Sequence, residues 1–177
     1  MESLGSNLFN DSVAPQLYQL KEKGLYYTKC KATGPRTQMA ASTILTGIPN
    51  IVSENYYRRK GIYKIETLAD YLTPLKYNCY YIHNGYLKYD DIDKLLLQGG
   101  FTNLIDANNI TNYKQINSWG VDDEALFIKA NEHIDETKHL KTFHILQTIT
   151  NHEPFEIPKD FIELPQDLME SVDHFDT

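Results

Sequence analysis

The sequence predicts an α/β protein built on a mostly parallel sheet. Three observations carry that expectation. Short β-rich segments alternate with segments of helical apolar spacing along most of the 177 residues. The helical segments end at glycines or beside prolines, which are physical stop signals. The chain is long enough to bury one sizeable core, and no repeat, low-complexity tract or Ser/Gly-rich linker divides it. One domain over residues 1–177 is expected.

The elements follow in order. Val13 to Gly24 places Val13, Leu17 and Leu20 at helical spacing and stops at a glycine. Leu25 to Cys30 is short and β-rich, so it predicts a strand. Gly34-Pro35 marks a turn, and the small and apolar run from Thr37 predicts a buried helix halted by Gly47 and Pro49. Thr67 to Leu75 is a helix carrying Leu68, Tyr71, Leu72 and Leu75, with Pro74 near its end. Tyr77 to Ile82 predicts a strand running into His83-Asn84-Gly85. Asp90 to Gln98 is a helix stopped by Gly99-Gly100, and Leu104-Ile105-Asp106 is a brief strand. Asp122 to His133 is a helix with acidic residues in its first turn, where the helix dipole favours them. Phe143 to Thr150 reads as a buried strand leading into Asn151-His152-Glu153-Pro154-Phe155.

Charge narrows the partners. Lys and Arg number 17 against 24 Asp and Glu, a net charge of −7 with a pI near 5.3. No basic stripe would neutralise phosphates along a strand, so nucleic acid is not expected as the main partner. Arg58-Arg59-Lys60 is the only basic run and reads as a solvated loop or helix end. No apolar run reaches the 18 residues or so of a membrane span, and no basic-then-apolar signal peptide opens the chain. The two cysteines, Cys30 and Cys79, could pair but show no metal-binding spacing.

In parallel sheets, sites form where loops leave the carboxyl ends of strands. Three such loops are expected to carry polar groups, around Thr37, His83 and His152. The Thr37 hydroxyl falls at a helix N-terminus, where unpaired N–H groups and the dipole favour an anion. A threonine there is also an ordinary N-cap. His152 can donate to a transferred phosphoryl or sulfuryl oxygen, or simply cap a strand end. His83 carries the same two readings. Trp119, the only tryptophan, reads as a core anchor or a substrate platform.

Together these stretches resemble the alkaline phosphatase/sulfatase superfamily, and within it the branch of lipoteichoic acid synthases and phosphoglycerol transferases. Glu2-Ser3 resembles the Glu-Ser that ends that family's first strand and supplies a metal ligand. Ala32-Thr33-Gly34-Pro35-Arg36-Thr37 resembles its nucleophile loop, with Leu45-Thr46-Gly47-Ile48-Pro49 closing the helix behind it. Trp119-Gly120-Val121-Asp122-Asp123-Glu124-Ala125-Leu126-Phe127 is similar to its Trp-Gly segment before a helix. Thr148-Ile149-Thr150-Asn151-His152-Glu153-Pro154-Phe155 is similar to its Asn-His-x-Pro-Phe block. The four blocks come in the family's order and span almost the whole chain.

The resemblance implies an alkaline phosphatase-like three-layer sandwich, truncated here at both ends, and a partial catalytic domain. Sulfatases carry a Cys or Ser nine positions before the Thr of a Leu-Thr-Gly motif, and that position here is Thr37. Thr cannot become the formylglycine that sulfate hydrolysis needs, so the resemblance implies phosphoryl chemistry. It implies Thr37 as nucleophile, Glu2 and Thr37 as ligands of a divalent metal (manganese or zinc, with magnesium as the alternative), and His152, His83 and Trp119 against the substrate. The substrate would be a lipid or glycan phospho-headgroup, and the parent protein a membrane enzyme with its catalytic domain periplasmic or extracellular. Phosphoethanolamine transfer, phosphodiester hydrolysis or sulfuric-ester hydrolysis within the superfamily, and a non-catalytic remnant, are the alternatives.

Two departures matter. The family completes its metal site with an Asp-His-Gly after a late strand. Asp173-His174 lacks both the strand before it and the glycine after it, and aligns better with the preceding helix. The Trp and Arg that lipoteichoic synthases place after the His83 loop are replaced by Asp90 and Ile92.

Overall fold

The computed structural model describes residues 1, 4–49, 66–111 and 113–154. Glu2, Phe155 and Asp173-His174, each weighed above, lie outside the described residues. The core is a three-stranded parallel sheet of β1 (Asn78–His83), β2 (Asn103–Ile105) and β5 (Thr142–Gln147), in the order β2-β1-β5. A two-stranded antiparallel ribbon, β3 (Gln115–Asn117) and β4 (Gly120–Val121), lies between β2 and β5 in the chain. The ribbon was not expected from the sequence, because its strands are too short to show a period.

Strand β1 is central, and all but its first residue are buried. Its alternating side chains face two helical layers. Cys79 and Tyr81 pack in one cluster with Leu45 of α2 (Thr37–Thr46), Ala69 of α3 (Leu68–Leu72), Leu95 and Leu96 of α4 (Ile92–Gln98) and Phe101. Ile82 packs on the other face with Leu126 and Ala130 of α5 (Asp123–Thr137) and with Leu146 of β5. Helices therefore cover both faces of a parallel sheet, as the alternation predicts. Each fully buried Leu, Ile or Phe here contributes about 2–3 kcal/mol.

Local chemistry sets the helix ends. Gly47 takes the left-handed conformation at φ 72°, and its N–H donates to Thr43 O at 2.8 Å, ending α2 as the sequence predicts. Thr67 and Asp70 form a reciprocal capping box at the start of α3. Asp122 caps α5 by accepting from Ala125 N at 2.6 Å.

Several expectations are corrected. Leu25 to Cys30 forms no strand: it is coil and turn, and Leu25, Tyr26 and Tyr27 are exposed. β-propensity measures fit to a neighbouring strand, and none of the described residues pairs with this segment. The Val13–Gly24 helix is shorter and in two parts, α1 (Pro15–Gln19) and a 3-10 turn over Leu20–Lys23. Strand β5 ends at Gln147 rather than Thr150, because Ile149 and Thr150 turn their N–H groups to Asp123. Helix α5 runs one turn past His133, to Thr137. The two cysteines do not pair: Cys30 is exposed and Cys79 buried, both as free thiols.

Candidate active site

Three loops meet at the carboxyl ends of β1 and β5. His83 is the last residue of β1 and Gln147 the last of β5, and they stand opposite each other in register. His83 is 4% exposed, and its Nδ1–H donates to Gln147 O at 2.9 Å. A carbonyl only accepts, so this bond places the proton on Nδ1 and leaves Nε2 as the accepting nitrogen of the neutral ring.

One partly buried carboxylate ties the loops together. Asp123 Oδ1 accepts from Ile149 N at 2.9 Å, Thr150 N at 3.1 Å and Asn84 Nδ2 at 2.9 Å. Asp123 N in turn donates to Thr150 Oγ1 at 2.8 Å. Asn84, wholly buried, also donates to Val121 O at 2.7 Å and accepts from Val121 N through its own carbonyl at 2.9 Å. The ribbon approaches so closely that a Cβ on Gly120 would lie 2.0 Å from Asn84 O, and Gly120 holds φ 157°. Only glycine fits there without moving the backbone.

The ribbon turn carries Trp119. Its indole N–H donates to Glu153 O at 2.9 Å, its ring lies 4.3 Å from that of His152, and Tyr89 meets it edge-on at 5.1 Å. Trp119 belongs to none of the buried apolar clusters. It is half-buried in a cavity wall instead of anchoring the core.

Helix α2 brings Thr37 to the same place. The N-cap residue is Arg36, whose side chain makes no capping bond, and Thr37 is the first residue of the helix proper. Thr37 is thus not the N-cap. The turn before it packs on the helix: a Cβ on Gly34 would meet Met39 Cβ at 2.8 Å.

These groups line one cavity of about 570 Å³, whose walls include Arg36, Thr37, Gln38, His83, Trp119 and His152. The structure brings together Thr37, His83, Trp119 and His152, which lie up to 115 positions apart in sequence (152 − 37). Among the described residues, one Arg and two His line it, and no Asp or Glu does. The protein carries −7 overall, yet this cavity presents positive and hydrogen-bond-donating groups at a helix N-terminus. Gln38, beside Thr37, is 8% exposed, and its Oε1 has no hydrogen-bond partner. An unpaired buried acceptor is costly where only fold is at stake and recurs where ligands bind.

The order and identity of these elements match a known family over residues 1–170. The chain belongs to the sulfatase family. Among solved structures it is similar to a protein of the alkaline phosphatase superfamily from Vibrio parahaemolyticus, at 28% identity and TM-score 0.80, over 92% of this chain and 41% of that one. Its fold is also similar to the lipoteichoic acid synthase LtaP from Listeria monocytogenes, at 24% identity and TM-score 0.68, over 76% of this chain and 34% of that one. The chain spans less than half the length of either.

Sulfatase-family proteins generally depend on divalent metals. The described residues do not make up such a site. Thr37 supplies one hard oxygen at the cavity, Glu2 lies outside the described residues, and no group of three or more His, Cys, Asp or Glu is placed to hold an ion among those described.

Sequence reasoning missed Asn84 and Asp123 as organisers of the site. Asn84 had appeared only as part of a loop, and Asp123 only as a dipole-compatible residue in a helix's first turn. Acidic N-terminal residues are common, so nothing local distinguished a carboxylate that joins three loops.

Proposed function

We propose that this chain carries the nucleophile-bearing part of a phosphoglycerol transferase, or of a related phospho-headgroup transferase. The observation that supports it is the placement of Thr37 at the N-terminus of α2, lining a cavity with Arg36, His83 and His152. In this reading Thr37 Oγ1 attacks the phosphorus of a lipid-linked headgroup. The Oγ1–P bond forms, the P–O bond to the lipid alcohol breaks, and that alcohol leaves with the threonine proton. A second hydroxyl, on a glycan or another lipid, then takes the phosphoryl group and returns a proton to Thr37.

Arg36 neutralises the phosphoryl oxygens and His152 donates a hydrogen bond to them, the role expected of fixed donors in a water-poor site. His83 Nε2 is oriented by its Nδ1–H bond to Gln147 O and accepts a proton or hydrogen bond from substrate. Trp119 lines the cavity beside His152 and offers the substrate an aromatic wall. A divalent ion, manganese or zinc with magnesium as the alternative, would lower the pKa of the Thr37 hydroxyl when bound. Glu2 and Thr37 are its proposed ligands. By likeness to the lipoteichoic acid synthase LtaP, the parent protein would work at the outer face of a membrane. Threonine at the nucleophile position favours phosphoryl over sulfuryl transfer, since it cannot be oxidised to an aldehyde as a Cys or Ser can.

The test is to incubate the chain with a glycerophosphate diester and manganese and analyse it by mass spectrometry. A phosphoglycerol adduct on Thr37, absent from Thr37→Ala, is expected. An adduct on another residue, or turnover that survives Thr37→Ala, would refute the nucleophile assignment.

A further inference from the structure

The middle of the sheet, on the face toward α5, holds a second pair of histidines that the proposed chemistry does not use. His144 lies on β5 beside Tyr80 of β1, three residues before the Gln147–His83 pair that borders the cavity. At about 3.3 Å per residue that is roughly 10 Å back along the strands. His144 also shares its face with Ile82 and Leu146 toward α5, whereas the residues bordering the cavity belong to the other face. His133 reaches the same spot from α5. His133 Nδ1 lies 3.2 Å from His144 Nε2. The Tyr80 ring packs on both imidazoles, edge-on to His133 at 4.3 Å and stacked on His144 at 4.9 Å.

We propose that His133 and His144 form a two-imidazole binding site for a divalent transition-metal ion of the zinc class, apart from the Thr37 cavity. The geometry carries this. With metal–nitrogen bonds of about 2.05 Å, two nitrogens 3.2 Å apart subtend about 103° at the ion, between octahedral and tetrahedral values. The lone pairs now share one N–H between the rings. A small turn of each ring about its broad terminal torsion points both at a common ion. Each neutral ring then carries its proton on the other nitrogen, so coordination releases no net proton.

Tyr80 fixes one wall of the site, and both histidines remain partly exposed, so an ion can reach them. Burial lowers the pKa of both rings, and His133 lowers that of His144 further, which keeps lone pairs available near neutral pH. Lys129 and Glu136, one turn before and one turn after His133 on α5, contribute opposite charges. Water fills the remaining coordination positions, so the affinity is weaker than that of three- or four-ligand protein sites.

The test titrates the full chain with Zn²⁺ and then Ni²⁺ by calorimetry. One saturable equivalent that depends on both histidines is expected, beside any binding at Thr37, and it is weakened at least tenfold in His133→Gln and in His144→Gln. Glutamine keeps a hydrogen-bonding group at each position. Control substitution of the exposed His139 by Ala leaves binding unchanged. Below the histidine range the affinity falls by more than tenfold per pH unit, because two protons compete for the site. If either glutamine variant does not fold, the imidazole resonances of the unaltered protein report the same site: both rings shift together on adding zinc. No saturable binding, or a titration that either glutamine substitution leaves unchanged, overturns the proposal.

Discussion

The carboxyl end of the parallel sheet and its middle use histidine in opposite ways. At the carboxyl end, His83 and His152 line a cavity, each with its Nδ1 at 2.9 Å from a backbone carbonyl oxygen. At mid-sheet, His133 and His144 face each other across the α5–β5 seam, with Tyr80 against both. The residue type is the same. The difference is what surrounds it: loops that converge on a helix N-terminus in one place, and a strand pressed on a helix in the other. Histidine count and spacing in the sequence could not distinguish these environments, because each pair is assembled from different elements.

The comparison can be broken first at the cavity. Thr37→Ala should lower transfer or hydrolysis of a glycerophosphate diester by at least about 1,000-fold, the scale of removing a nucleophile. The same change should cost less than about 1 kcal/mol in a urea melt, because the N-cap position is Arg36 and alanine is a better helix former. Equal losses of activity and stability would mean that Thr37 is a structural residue.

Next is the carboxylate that joins the loops. Asp123→Ala removes the acceptor of three hydrogen bonds, and bonds to a charged group contribute about 1.5–3 kcal/mol each before relaxation. A net loss of about 3 kcal/mol is expected, with Asp123→Asn recovering part of it. A loss below about 1 kcal/mol would show that the loops do not depend on this residue. Gly120→Ala should cost about 2 kcal/mol or more, since its Cβ would lie 2.0 Å from Asn84 O. A normal melt with an unchanged environment around Trp119, read by its fluorescence, would argue against that close contact.

The α5–β5 seam predicts a smaller, pH-linked effect. His133 and His144 have pKa values lowered from 6.5, mainly by burial. A base whose pKa is lower in the folded state contributes stability that is fully present above the unfolded value. That contribution is lost as pH falls from about 6.5 through the folded pKa. Urea midpoints measured between pH 7 and pH 5 should therefore fall, and fall less in a His133→Gln/His144→Gln double variant. An identical pH slope in that variant would remove the seam from the account. The smallest effect concerns thiols. Burial raises the Cys79 pKa, so a thiol reagent should label exposed Cys30 in the native protein and Cys79 only after unfolding.

Much of the fold was legible because helix periodicity and stop signals are local. Helix α2 ended at Gly47 as expected, and β1 and α4 lay within two residues of their predicted bounds. Leu25 to Cys30 failed for the reason that limits all strand prediction: its residues favour a ladder, but a ladder needs a partner. The β3–β4 ribbon was invisible because strands of three and two residues have no readable period. In the site, Thr37, His83, Trp119 and His152 were each singled out from spacing and resemblance. Their common cavity, and the Asn84–Asp123 network behind it, were not.

The sequence by itself determined the class of fold, the family and the position of a hydroxyl at the start of α2. These rest on periodicity, on stop signals and on blocks of residues in a fixed order, all short-range properties of a chain. Only the tertiary structure decided that Thr37 is not the N-cap, that Trp119 lines a cavity and not the core, and that two histidines from α5 and β5 come within 3.2 Å. Each of those facts depends on which segments pack together, and packing is set by the sum of many distant apolar contacts that no local pattern records.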